Sequence, residues 1–178
     1  MPKSNIEKLK EYIREIPDYP KKGILFYDIT TLLQDSKSFN LAISLLLELV
    51  RKHKITKVVS IESRGFIFGS VLAYRLNCGL VLVRKKGKLP HKTLECDYAL
   101  EYGQATLEIH EDAITKNDRV LIVDDLLATG GTAMATRDLV GRLGGKTVGF
   151  CFLIELDFLK GRSKLRGSRI FSLLHYQS

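Results

Sequence analysis

The chain has 178 residues, one domain by the usual range of about 100–200 residues each. Apolar residues make up 45% and charged residues 27%, an ordinary globular mix. A chain of this length buries roughly 70% of its unfolded surface and needs no metal or disulfide staple. Against 20 Asp+Glu stand 28 Lys+Arg, and the resulting charge of +8 points to a polyanion: nucleic acid, an acidic membrane face or a phosphorylated small molecule. Cys78, Cys96 and Cys151 are odd in number and widely spaced, which argues against a disulfide framework or a Cys-rich zinc site and for a reducing compartment. Met1-Pro2-Lys3-Ser4 opens no apolar signal segment, and no apolar run approaches the ~20 residues of a membrane span. The expected location is the cytoplasm. His53, His91, His110 and His175 lack metal-ligand spacing and read as surface residues.

Ser4-Asn5-Ile6-Glu7 forms a capping box, and Ile6, Leu9, Ile13 and Ile16 follow at helical spacing until Pro17 and Pro20. A leucine-rich helix is predicted over about 38–54. Then the pattern alternates: strand 57–61, helix 66–76, strand 80–83, and later strand 120–123, helix 133–143, strand 148–154 and a last strand at 170–174. Continuous apolar strands alternating with helices indicate an α/β fold, with a parallel sheet covered on both faces. Between them, about 84–109, Leu94, Cys96, Tyr98 and Leu100 alternate with more polar or small residues, as do Leu107 and Ile109. This reads as an inserted antiparallel excursion.

The segment Val120-Leu121-Ile122-Val123-Asp124-Asp125-Leu126-Leu127-Ala128-Thr129-Gly130-Gly131-Thr132 carries the most chemistry. A buried strand ends in two carboxylates, and a loop of small residues opens a helix. Ligands of open α/β sheets bind at the carboxyl ends of strands. Thr129-Gly130-Gly131-Thr132 offers backbone N–H groups and two hydroxyls to a phosphate dianion. Neither a P-loop lysine nor a dinucleotide G-x-G-x-x-G is present. Two acids beside a phosphate site suit a phosphorylated ribose, whose vicinal hydroxyls the carboxylates accept. The plain alternative is a tight strand–helix turn with a solvated acidic pair.

Two further strand ends read as anion sites. Glu62-Ser63-Arg64-Gly65 places a hydroxyl and a guanidinium fork before a helix, which suits a leaving pyrophosphate or a simple helix cap. Arg84-Lys85-Lys86-Gly87-Lys88 has no acid until Glu95; its place after a strand favours a substrate role over a solvated face. The second cluster, Lys160, Arg162, Lys164, Arg166 and Arg169, lacks that placement and reads as solvated or subunit-facing surface.

The 120–132 segment resembles the 5-phosphoribosyl-1-pyrophosphate signature of type I phosphoribosyltransferases. Ala128, where the hypoxanthine and guanine enzymes carry Asp, makes the resemblance fall on the adenine-using branch. It extends through 20–28, Glu62 to Phe66, Arg84 to Pro90, Tyr98 to Gly103 and Leu159-Lys160-Gly161-Arg162. The resemblance implies one phosphoribosyltransferase domain over 1–178, with an N-terminal base-binding hood at about 1–35 and a flexible lid at about 84–109. The implied reaction joins adenine to 5-phosphoribosyl-1-pyrophosphate with Mg²⁺, giving AMP and pyrophosphate. Asp124, Asp125, Ala128, Thr129, Gly130, Gly131 and Thr132 would hold the phosphoribose. Ser63, Arg64, Arg84, Lys85 and Lys88 would hold the pyrophosphate, with a non-proline cis peptide joining Ser63 to Arg64. Mg²⁺ would be held mainly through pyrophosphate and water.

Adenine would meet the backbone of Leu25 and the ring of Phe26, which read equally well as core without the resemblance. Tyr27 departs from the Arg often found there. Glu101, carried by the lid, is the candidate acid–base group, because Ala128 cannot move a proton. Its plain alternative is a structural salt bridge. A homodimer is implied. Two other classes stand against this reading. A purine-responsive regulator would need a DNA-binding domain, for which the first 16 residues are too few, and a nucleic-acid binder would need aromatic platforms.

Overall fold

The computed structural model describes residues 4–99 and 104–177, so Leu100, Glu101, Tyr102 and Gly103 lie outside the described residues. The chain divides into two units, residues 1–45 and 46–178. Helix α3 (Ser36–Val50) runs through the division.

In the first unit the capping box forms as predicted: Ser4 Oγ accepts from Glu7 N–H, and Glu7 reaches back to Ser4 N–H at 2.6 Å. Periodicity predicts a helix reaching Ile16, but helix α1 spans only Asn5–Lys10. Ile16 lies instead in strand β1 (Arg14–Pro17), antiparallel to β2 (Leu25–Asp28) with Ile16 opposite Phe26. Pairing with a distant strand outweighs a six-residue helix, since so short a helix is marginal by itself. Helix α2 (Thr30–Gln34) follows β2, and Asp28 accepts from both Thr30 N–H and Thr30 Oγ1. Leu9, Ile13, Tyr27, Ile29 and Leu32 are buried.

The second unit contains a seven-stranded sheet in the order β5-β6-β4-β3-β7-β8-β9. Its strands are β3 (Lys57–Ile61), β4 (Gly79–Lys85), β5 (Thr93–Ala99), β6 (Gln104–His110), β7 (Arg119–Leu127), β8 (Lys146–Leu156) and β9 (Ile170–Tyr176). Five of them, β4-β3-β7-β8-β9, are mutually parallel, and helices α4 (Gly65–Leu76) and α5 (Gly131–Arg142) connect them. The excursion between β4 and β7 is antiparallel as expected: β5 pairs with β6, and β6 with the end of β4. Leu94, Cys96 and Tyr98 pack on the core, which explains their alternation. Val59, Ile61, Val83, Ile122, Leu139, Val140, Phe150 and Phe152 form its centre.

Two local features depart from expectation. Strand β7 continues past the acidic pair to Leu127, because β8 keeps pairing with it as far as Glu155 after β3 has left at Val123. The non-proline cis peptide joins Glu62 to Ser63, one bond earlier than predicted. Arg64 already has helical angles (φ −70, ψ −27) as the residue preceding α4, so the turn lies before it. No helix among the described residues is long and apolar enough to cross a membrane.

Candidate active site

The order of the sheet reverses between β3 and β7: the chain moves from β3 outward to β4 on one side, and from β7 outward to β8 and β9 on the other. Such a reversal leaves a crevice beyond the carboxyl ends of the two strands, and ligands bind there. Arg64 enters it from the turn after β3, and Asp124 and Asp125 from β7. Arg64 Nε lies 2.9 Å from Asp125 Oδ2, an ion pair with no aligned hydrogen bond to that oxygen. Asp125 is 5% exposed, while Asp124 is partly buried and accepts the Asp125 N–H on Oδ1 at 2.8 Å. Burial and the neighbouring Asp125 carboxylate push Asp124 well above the usual carboxylate range, with Arg64 opposing. Burial raises Asp125 as well, and Arg64 opposes it directly. Two adjacent carboxylates share one guanidinium, so the pair carries an unbalanced negative charge when both are ionised.

The loop 128–130 leads into α5. Gly130 precedes the helix at φ +79 and supplies no side-chain cap, and the first helical bond runs from Met134 N–H to Gly130 O. The N–H groups of Gly131, Thr132 and Ala133 therefore have no partner within the helix, at the positive end of its dipole. Thr129 and Thr132 flank them. Asp124, the 126–133 segment and Phe152 line one small concavity, so the acid and the loop share a site.

What supports this loop lies in the cluster that reads as solvated surface. A Cβ on Gly161 would sit 2.1 Å from Ala128 O and 3.1 Å from Gly130 N, so only glycine allows the two backbones to meet. Arg162 clamps the buried carboxylate of Glu155 through Nε at 2.9 Å and Nη2 at 2.6 Å. Arg169 donates to His53 Nδ1 at 2.8 Å. The cluster is thus partly structural, with Lys160, Lys164 and Arg166 exposed as expected. Glu155, Asp157 and His175 also lie within metal-ligand reach of one another, which their spacing conceals. Glu155 already accepts both Arg162 nitrogens and Ser172 Oγ, and the guanidinium there opposes a cation. The other histidines are engaged too: His110 Nε2 contacts Pro90 O at 2.6 Å, and His91 lies against His110.

The basic run divides in two. Arg84 is committed inward, its Nε on Glu62 Oε2 at 3.1 Å and its Nη1 on Lys88 O at 2.9 Å. Lys86 pairs with Glu95 at 2.7 Å. Lys85 and Lys88 are exposed, and neither ammonium group has a partner among the described residues. Ser63 is exposed beside Arg64.

In the first unit, Leu25 is 37% exposed and stands opposite Pro17, which has no N–H to donate. Phe26 is partly buried, with Tyr19 edge-on at 5.1 Å. Tyr27, only 3% exposed, is a core residue; burial, then Glu15, raise its phenol. Glu101 lies outside the described residues.

Residues 28–170 match the phosphoribosyl transferase domain. The adenine phosphoribosyltransferase of Geotalea daltonii is 57% identical over 171 residues, covering 96% of this chain and 100% of that relative. The crystal structure of the enzyme of that name from Thermoanaerobacter pseudethanolicus superposes with TM-score 0.94 at 53% identity, covering 96% of this chain and 99% of that one. The Saccharomyces cerevisiae enzyme, solved with an imino-altritol bisphosphate and adenine, superposes with TM-score 0.89 at 41% identity, covering 96% and 98%.

Proposed function

The chain belongs to the phosphoribosyl transferase family, and from that premise we propose that it moves the 5-phosphoribosyl group of 5-phosphoribosyl-1-pyrophosphate onto adenine, yielding AMP and pyrophosphate. The observation that carries this reading is the uncapped start of α5 beside Asp124, a phosphate seat next to an acceptor for sugar hydroxyls.

The 5′-phosphate takes the free N–H groups of 131–133 and the hydroxyls of Thr129 and Thr132, replacing with a dianion the cap that Gly130 does not provide. Asp124 accepts from the ribose 2′- and 3′-hydroxyls. Asp125 joins it when Arg64 turns from that carboxylate to the pyrophosphate, exchanging its guanidinium partner for sugar hydroxyls. As the C1–oxygen bond to pyrophosphate lengthens, positive charge grows on the ribose and negative charge on the leaving group. The two carboxylates face the first; Arg64, Ser63, Lys85 and Lys88 face the second, with Arg84 adding charge from behind. Leu25 offers its backbone to the adenine edge and Phe26 covers a ring face. Ala128 leaves room beside the base without a carboxylate. Glu101, on the lid of about 84–109, takes the proton that the purine loses as its N9 bonds to C1.

Magnesium fits this donor set as an ion carried by the substrate, because two carboxylates sharing one guanidinium leave a negative charge that a cation held mainly through pyrophosphate and water would balance. When bound it would supply charge neutralisation at the leaving group. On family resemblance the enzyme is a cytoplasmic homodimer with an N-terminal hood at about 1–35. The direct test is formation of AMP and pyrophosphate in equal amounts from adenine and 5-phosphoribosyl-1-pyrophosphate with Mg²⁺. Absence of both products defeats the proposal.

A further inference from the structure

Behind the two unpaired lysines lies a carboxylate that the reaction does not use. Glu108, on β6 and 3% exposed, accepts the N–H of Gly87 on Oε2 at 3.1 Å and those of Lys88 and Leu89 on Oε1 at 2.7 and 2.6 Å. Three successive N–H groups converging on one anion make a backbone nest, and here the protein fills the nest with its own side chain. Burial alone would raise this carboxyl, but the three N–H donors and nearby Arg84 outweigh it and hold it below the usual range. Glu62 does the same one step earlier, accepting Lys85 N–H at 3.0 Å and Arg84 Nε. Two acids thus fasten the backbone of 85–89 from within, and Arg84 ties its far side through Lys88 O.

Residues 84–88 carry four cations in five positions, a sequence that repels itself when free. Fastening the backbone to one buried and one partly buried carboxylate leaves Lys85 and Lys88 exposed while the chain beneath them is fixed. We propose that Glu108 is a positioning residue, holding loop 85–89 so that Lys85 and Lys88 are presented to the polyphosphate. This rests on the reading above, in which those lysines take the leaving group.

The test compares Glu108→Ala and Glu108→Gln in the full chain, each also in a Lys85→Ala/Lys88→Ala background, with KM for both substrates, kcat and melting temperature measured. Glu108→Ala is expected to raise KM for 5-phosphoribosyl-1-pyrophosphate by about 10–100-fold, as loss of alignment does, with KM for adenine within about twofold. Glu108→Gln keeps an oxygen for Lys88 and Leu89 but loses the acceptor of Gly87 N–H, so it should raise this KM by a smaller factor of about 3–10-fold, and it carries the test if the alanine variant fails to fold. Without the two lysines, Glu108→Ala or Glu108→Gln should change KM little, because nothing remains to position. An equal effect with and without the lysines overturns the inference, as does an unchanged KM in Glu108→Ala. If removing both lysines leaves KM unchanged in the wild-type background, the reading of the lysines falls, and this inference with it.

Discussion

Arg64 Nε and Asp125 Oδ2 lie 2.9 Å apart across the reversal of strand order between β3 and β7. One belongs to the proposed pyrophosphate site and the other to the proposed ribose site, so the ion pair couples the two. Residues that act as a unit give non-additive losses. Arg64→Ala and Asp125→Asn should each lower kcat/KM for 5-phosphoribosyl-1-pyrophosphate by about 10²–10³-fold, the scale of one lost preorganised donor. The double variant should lose much less than the product of the two, which a double-mutant cycle on kcat/KM measures.

Gly161 supports a second prediction. An added methyl would sit 2.1 Å from Ala128 O, and backbone there cannot yield without moving the phosphate loop. Gly161→Ala should lower the melting temperature and raise KM for the phosphoribosyl donor by about 10²-fold, the cost of displacing a binding group by about 1 Å. Steady-state kinetics with each substrate varied in turn checks it.

Glu101→Leu should lower kcat by about 10²–10⁴-fold, the range for a lost proton-transfer group, with KM for the phosphoribosyl donor little changed. Initial rates at saturating adenine decide between this and a structural salt bridge, for which kcat would be unaltered.

Stability should also follow Asp118, which is 8% exposed and accepts from Thr56 Oγ1, Thr115 N–H and Thr115 Oγ1. Burial would raise its carboxyl, but these donors and Lys57 outweigh it and hold it below the usual range. A carboxyl lowered by folding adds stability above its unfolded pKa and loses it as pH falls through the folded value. Urea unfolding should therefore show stability declining below about pH 4, and Asp118→Asn should flatten that decline while costing about 1–3 kcal/mol at neutral pH.

Ser60 supplies a contrasting case. Its buried hydroxyl has no hydrogen-bond partner among the described residues, and a Cβ on Gly69 would lie 2.2 Å from it. Ser60→Ala should be neutral or stabilising by up to about 1 kcal/mol, since an unmade hydrogen bond is removed. Gly69→Ala should destabilise by about 1–3 kcal/mol through overpacking. Chemical denaturation of both variants checks the pair.

Much of the second unit was legible in its residues. Strand 57–61 falls where its β-branched run predicts, and the Leu94–Tyr98 alternation marks the antiparallel excursion. What was hidden depends on distant partners. Ile16 keeps helical spacing with Leu9 and Ile13, yet pairing with Phe26 makes it a strand residue. The acidic pair looks terminal until β8 prolongs β7 beneath it. In the site, the uncapped turn into α5 was legible because the whole 120–132 combination, an apolar strand, two acids and small residues, marks a strand–loop–helix opening that Thr-Gly-Gly-Thr alone would not, whereas the Gly161 brace was not. Only the resemblance through Leu159–Arg162 pointed there; the local charge pointed to solvent. Glu108 was likewise concealed, as one apolar-flanked acid in a strand whose anchoring role depends on a loop about twenty residues away in sequence.

The central claim is the choice of base. The most direct measurement is pyrophosphate release from 5-phosphoribosyl-1-pyrophosphate and Mg²⁺ with adenine, hypoxanthine, guanine or orotate supplied one at a time. Release with adenine alone is the predicted result; release only with another base would contradict the account.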